Sequence, residues 1–538
     1  MAIVADLERA RRLARAADEG AAKDLLLSLL PAIETADRDD WALEVFAQLG
    51  ELYLVRTAYD GVTECLRRID DCLAAYVAPS RPVTMAPAEV DRMRRRYARR
   101  ARFLRIGLAA AHGEHETADA ALCALADDDV EPDPELAEER GRLLTHARIL
   151  CATALCDDDL HVRSVPLWDS VFDAIGRAGD GGEADDQLLV LAGLGYGRFC
   201  VETGRLTEAE PWLRRAEARA RQRGWRLAAS RAQLERATAA WSAGDRGLAQ
   251  TLTHSAYPDI AEHLRAHDVS RCWLYFGLIS LSIGELDDAE ERFGHAERHW
   301  REIEKPLHIH RILVQRSWVD IMRGDFGAAR ERVGEARALL DGWSRHSWLQ
   351  YARLDDHLGS IWRADALADP AGLDAKMERA VDLKAPAALA VDSVRHAIAD
   401  ADARMRWASH VSAPILAGAF AAAWEWGNTA LVAELIEYHG ARGSFSTEYP
   451  ADGTVGWSSA ATAAVPIEDV DTAGVADYAL VAGGTGEVGG PGLTRLGPLP
   501  PLVMDPTGGP IISRYRAQAA ERYDRGGPAS DAPWATWP

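Results

Sequence analysis

Arginine returns at forty-residue intervals at Arg231, Arg271 and Arg311. A guanidinium stays charged at any physiological pH and presents a planar fork of donors that fits a carboxylate with two parallel hydrogen bonds. Three in register make a ladder suited to an anionic segment. Arg198, Trp241 and Trp318 belong to the same set of helices and would add a fourth cation and two apolar anchors. The competing reading is that each arginine pairs with a Glu or Asp of the adjacent unit, which an acidic chain supplies in abundance.

Other constellations point to less. His112, Glu114, His115 and Glu116 crowd one turn, but their spacing matches no zincin pattern, so a solvated turn is expected there. Gly484, Gly486 and Gly489 spell G-x-G-x-x-G after an apolar run. Pro491 and Gly492 follow where a phosphate-binding helix would have to begin, so a glycine-rich hairpin is expected instead. Arg495, Pro498 and Pro501 fit the spacing of polyproline ligands, with a rigid linker as the alternative. No nucleophile elbow, phosphate loop, H-E-x-x-H or Cys/His pair in a catalytic setting is present. The expectation is a non-enzymatic protein that needs neither cofactor nor metal.

The elements that must position the ladder carry the same interval. Gly204, Gly244, Gly284 and Gly324 are each followed by alanine after five residues (Ala209, Ala249, Ala289, Ala329) and after twelve (Ala216, Ala256, Ala296, Ala336). A fixed period of this size signals stacked copies of one supersecondary unit. Each glycine breaks a helix, and each alanine sits where two helices cross closely. In the third unit Gly277 and Ala289 are the small partners, while Trp273, Phe276 and Phe293 fill the space around the crossing.

"WLYFGLISLSIGELDDAEERFGHAE" and "GLGYGRFCVETGRLTEAEPWLRRAE" resemble the tetratricopeptide repeat (TPR), in a long form of about 40 residues. The resemblance implies an all-α, right-handed solenoid of helical hairpins. It also implies that the first helix of each unit lines a concave groove, into which the arginine ladder would project. The logic is that of the TPR carboxylate clamp, although the clamp's asparagines are missing. Forty residues in place of 34 imply longer helices or a longer link, with Gly224 and Pro258 marking the extra length.

Around this core, residues 1–180 read as divergent TPR-like hairpins, 181–345 as the regular repeats, 346–440 as atypical capping hairpins and 441–538 as a Gly/Pro-rich tail. Within the first part, eight arginines lie between Arg92 and Arg105. They are either a basic patch for a partner or are neutralised locally by the nearby run "ADDDVEPDPELAEE". Pro386 is expected to open a helix, and Val411 to Trp424 to form a buried one. In the tail, "YALVAGG" and "PLVMDP" suggest short strands and "PIISRYRAQAAERYDR" one amphipathic helix, so that the tail as a whole is either a separate docking element or extended chain that folds back along the solenoid.

A second resemblance covers roughly the last quarter of the chain. "GNTALVAELIEYHGARG", "LGPLPPLVMDPTGG" and "ISRYRAQAAERYD" resemble the region accompanying CHAT domains, a caspase-like protease fold, in actinobacterial TPR proteins. It implies the recognition half of such a system. The protease's His and Cys segments have no counterpart, so no catalytic residue carries over.

A formal charge of −22 argues against nucleic acid and anionic membranes as partners. Seven scattered cysteines without a C-x-x-C pair, and an N-terminus that meets charge within six residues, fit a reducing cytoplasm. The expected function is protein or peptide binding in the groove, with an acidic segment as the favoured ligand. The alternative is a sensor of a small anionic molecule or signalling peptide.

Overall fold

The computed structural model describes residues 2–77, 85–127, 131–158, 160–177, 182–343, 346–397, 401–440 and 511–523. All regular structure among them is helical. The helices are α1 (Ala2–Arg15), α2 (Glu19–Thr35), α3 (Asp39–Val55), α4 (Tyr59–Ala75), α5 (Pro87–Ala111), α6 (His115–Ala126), α7 (Pro134–Asp157) and α8 (His161–Arg177). Then come α9 (Glu183–Glu202), α10 (Leu206–Arg223), α11 (Arg226–Ser242), α12 (Arg246–Glu262), α13 (Ala266–Ser282), α14 (Leu286–Glu302), α15 (Pro306–Met322) and α16 (Phe326–Asp341). The C-terminal part has α17 (Trp348–Ala368), α18 (Leu373–Ser393), α19 (Ala401–Arg406), a π-helical turn (Trp407–Ser412), α20 (Ala413–Glu425), α21 (Thr429–Gly440) and, in the tail, α22 (Ile511–Tyr523). Consecutive helices pair into TPR-like hairpins.

The forty-residue period is two periods of twenty. Left-handed residues fall at Gly204, Gly224, Gly244, Leu264, Gly284, Glu304 and Gly324, and likewise at Ala17, Asp37 and Thr57. After each of the seven, the next amide donates back across the turn to the carbonyl five residues earlier, as in Arg205 N to Cys200 O (2.7 Å), Glu285 N to Ser280 O (2.9 Å) and Lys305 N to Trp300 O (3.0 Å). This is the Schellman closure of a helix C-terminus. The helices α11 to α15 are each 17 residues long, so the extra length beyond 34 lies in the helices. Pro258 accordingly sits inside α12 and marks no link, while Gly224 caps α10. Pro386, expected to open a helix, lies inside α18.

The alanine pairs behave as their spacing requires: all eight from Ala209 to Ala336 have no exposed surface. A Cβ on Gly277 would come within 2.5 Å of the Phe293 ring, and one on Gly197, eighty residues earlier, within 2.4 Å of Leu213. Glycine at this crossing is therefore a packing requirement.

The described chain forms two compact units, one of Met1–Ala239 with Thr251–Arg265, the other of Ala240–Gln250 with Ala266–Trp537. The division falls inside the regular repeats, not at their ends. In the first unit a buried carboxylate, Glu44 on α3, ties three helices together. It accepts from Arg11 on α1 (2.6 Å), from Arg100 on α5 (2.9 Å) and from Tyr97 on α5 (3.1 Å). The basic run on α5 is spent in this way on local acids. Arg92 meets Asp133 and Glu135, Arg95 and Arg99 meet Glu131, Arg96 meets Glu139, and Arg105 meets Asp70. The same unit returns on itself: buried Arg265, just past α12, pairs with buried Glu19 at the start of α2.

In the second unit the core runs from Leu281 through Phe293, Trp300, Leu313 and Trp318 to Ile361. Val411 to Trp424 is helical and inward-facing as expected, through Ile415, Leu416, Ala419, Ala422 and Ala423, although Trp424 itself is exposed.

Candidate functional site

The sequence-predicted residues separate on inspection. Arg231 on α11, Arg271 on α13 and Arg311 on α15 are half-buried and each already engaged. Arg198 is committed to Asp157 (2.7 Å) and Glu202 (2.8 Å). Burial opposes its charge, but Asp157, Glu202 and Glu235 outweigh that and hold its pKa well above the ordinary arginine value. Trp241 is half-buried near the end of α11. Trp318 corrects the expectation of a groove anchor: it is only 6% exposed and packs edge-on against His357 in the core. At the turn near His112, His115 binds Asp158 (2.9 Å) and Glu116 binds Arg163 (3.2 Å). Gly484, Gly486, Gly489, Arg495, Pro498, Pro501 and the two expected strands lie outside the described residues.

Two arginine sites that the ladder overlooked stand eighty residues apart. Arg236 clamps Glu210 (3.1 Å) and Glu217 (2.7 Å) of the preceding helix. Arg316 does the same to Glu290 and Glu297. The signal was present in the repeat register, since both glutamate pairs lie six and thirteen residues after a turn glycine.

The geometry that resembles a binding site belongs to the tail. The expected amphipathic helix is α22, and it is seated on the C-terminal hairpins of the second unit. Its spacing of Ile512, Tyr515, Ala519 and Tyr523 puts all four on one face, and all four are buried. Ile512 and Tyr515 join one core cluster with Val381, Ala385 and Leu389 of α18, Ala422 and Ala423 of α20, and Leu431 and Leu435 of α21. The hairpin beneath is fixed by Asp392, fully buried on α18, which accepts from Tyr438 of α21 (2.6 Å) and from Ser412.

Polar groups set the register of α22. Glu434 of α21 accepts from the amides of Ile511 (2.9 Å) and Ile512 (2.7 Å), capping a helix N-terminus from outside the helix. Asp382 of α18 accepts from Arg514 (2.9 Å), and its carbonyl accepts from Arg522 (2.7 Å). At the far end Tyr523 donates to Asp355 of α17, which also pairs with Arg337 of α16. Burial, followed by the Asp382 charge, pushes the Tyr515 hydroxyl up to about 12. Burial and Asp355 raise Tyr523 further in the same direction. Three arginines against one glutamate give α22 a net charge of +2 in a chain of −22. The seat is thus an apolar trough with Asp355, Asp382 and Glu434 placed around it, complementary in charge to the basic tail helix that fills it.

No membrane-crossing helix occurs among the described residues, none being long and apolar enough. No family model and no curated protein sequence matches the chain. Among solved structures, a Rap protein complexed with competence and sporulation factor aligns at 14% identity over 71% of this chain and 97% of that one, with a TM-score of 0.42. The apo form of RapI aligns at 9% identity over 72% and 99%, with a TM-score of 0.41. NprR in complex with its cognate peptide NprX aligns at 12% identity over 63% and 87%, with a TM-score of 0.39. The chain's own geometry, helical hairpins closed by left-handed turns every twenty residues and packed through glycine and alanine, makes it an array of TPR-like repeats.

Proposed function

We propose that the chain is a non-enzymatic regulatory scaffold that captures helical protein segments, with its own tail helix as the resident occupant of the capture site. The observation that carries this is the seat of α22, where anchors from one face of a 13-residue helix meet an apolar trough with acidic rims. Isolated helices of this length are marginal in water, so α22 gains its order from the seat, as an incoming segment would. The favoured ligand is therefore basic and amphipathic, which replaces the acidic segment suggested by the arginine ladder. A CHAT-type protease, implied by the sequence resemblance, is a candidate source of such a segment.

The test uses the full chain carrying Tyr515→Glu and Ala519→Glu to unseat α22, titrated with a labelled peptide spanning 509–525. Saturable binding to this variant, and weaker binding to the unaltered chain, is the expected result. Equal binding to both, or binding that survives a further Asp382→Ala and Glu434→Ala, removes the seat as a capture site. The ladder is tested separately by Arg231→Glu, Arg271→Glu and Arg311→Glu in affinity capture, where unchanged capture excludes it.

A further inference from the structure

Cys156 near the end of α7, His161 at the start of α8 and Glu202 at the end of α9 bring a sulfur, a ring nitrogen and a carboxylate oxygen within 4.8 Å of one another. We propose that these three residues form a binding site for a borderline divalent cation of the zinc type. Thiolate, imidazole and carboxylate are the ligand set such cations take in tetrahedral sites, with water completing the fourth position.

The second sphere favours it. Arg198 donates to Oε1 of Glu202 (2.8 Å), leaving Oε2 turned toward His161 Nε2 at 2.9 Å. A carboxylate held at one oxygen and offered at the other is the arrangement that orients a metal ligand. Tetrahedral geometry needs those two donor atoms about 3.3 Å apart, a shift of a few tenths of an ångström. The Cys156 thiol gives its proton to solvent on binding. The histidine and cysteine are buried, while Glu202 reaches the surface and provides an entry path.

The preceding hairpin supplies an internal control. His115 at the start of α6 binds Asp158 just past α7 at 2.9 Å, the same tie that His161 makes to Glu202. Counted from the two histidines, Ala110 stands where Cys156 stands, and Ala118 where Ser164 does. The histidine–acid tie alone is therefore an architectural feature of the repeat. The addition of a thiol, with Ser164 Oγ 3.6 Å from it, is particular to the second copy.

The test is titration of the reduced full chain with Co²⁺, followed by the thiolate-to-cobalt charge-transfer band in the near ultraviolet and by equilibrium dialysis. The expected result is one bound equivalent with that band, displaced by Zn²⁺, absent in Cys156→Ala and in His161→Ala, and retained in His115→Ala. Cys156→Ala is expected to fold, because alanine occupies the equivalent position one hairpin earlier, and far-ultraviolet circular dichroism checks this. A band that persists in Cys156→Ala arises from the other six cysteines and overturns the assignment, as does the absence of any band in the unaltered chain.

Discussion

The hydroxyl of Tyr523 donates to the carboxylate of Asp355, 168 residues earlier in the chain, and Asp355 is held in place from its other side by Arg337. This contact fixes the C-terminal end of the tail helix as the Glu434 carboxylate fixes its N-terminal end. Tyr523→Phe is expected to remove the donor while Arg337 keeps Asp355 satisfied. Docking should weaken by about 1.5 kcal/mol, roughly tenfold in the opening equilibrium. Hydrogen exchange of the amides of 511–523 reads this directly, and global melting should hardly change.

Alkali should release the same helix. The Tyr515 hydroxyl is raised from 10.0 to about 12 when seated. An unseated tyrosine ionises first, so the stabilisation is whole below pH 10 and is lost as pH rises through 12. Tyrosinate absorbance should show the loss of docking across that window. Docking that stays constant from pH 9 to 12 would contradict a buried, neutral Tyr515.

Acid should act on the first unit. Burial alone would raise the Glu44 carboxyl, but Arg100 and Arg11 outweigh it and hold the group at about 2, below its ordinary 4.5. The depressed value means stability that is present above pH 4.5 and lost as pH falls through 2. Glu44→Gln should flatten that acid limb and, by leaving Arg100 short of a buried counter-charge, cost about 3 kcal/mol at neutral pH. Denaturant melts at several pH values measure both effects.

The turns offer a paired test. Gly284 and Leu264 occupy the same left-handed conformation, with φ of 82° and 53°. Gly284→Ala should cost about 1 kcal/mol, whereas Leu264→Gly relieves strain of similar size, partly offset by the freer unfolded chain. Opposite signs in thermal melting are expected. Gly277→Ala should be worse than either, because its Cβ meets the Phe293 ring at 2.5 Å and the core must yield.

The hairpin array was legible because its signals are local and repeated: a glycine where a turn needs positive φ, and an alanine where two helices touch. The twenty-residue period was half hidden, since Leu264 and Glu304 adopt the same turn without glycine and leave no mark in composition. The ionic architecture was harder to read. Arg231, Arg271 and Arg311 share a register, but a register does not say which side chains are already paired, and Arg236 and Arg316 each clamp two glutamates of the preceding helix. The seat of α22 was out of reach for another reason. Asp355, Asp382 and Glu434 carry no mark in the sequence that ties them to a helix from far along the chain.

The ion pair between Glu19 and Arg265 has a consequence for how this chain can change over generations. An open array of repeats can gain or lose a copy by duplication or deletion, since each copy needs only its neighbours. Here the segment after α12 must arrive opposite the start of α2, with both charges hidden from water. One hairpin more or fewer between them would part the two buried charges, leaving Glu19 with the more distant Arg56 (3.9 Å) and Arg265 without its carboxylate. In the first unit the number of repeats is therefore locked, and sequence divergence must proceed by substitution within a fixed count.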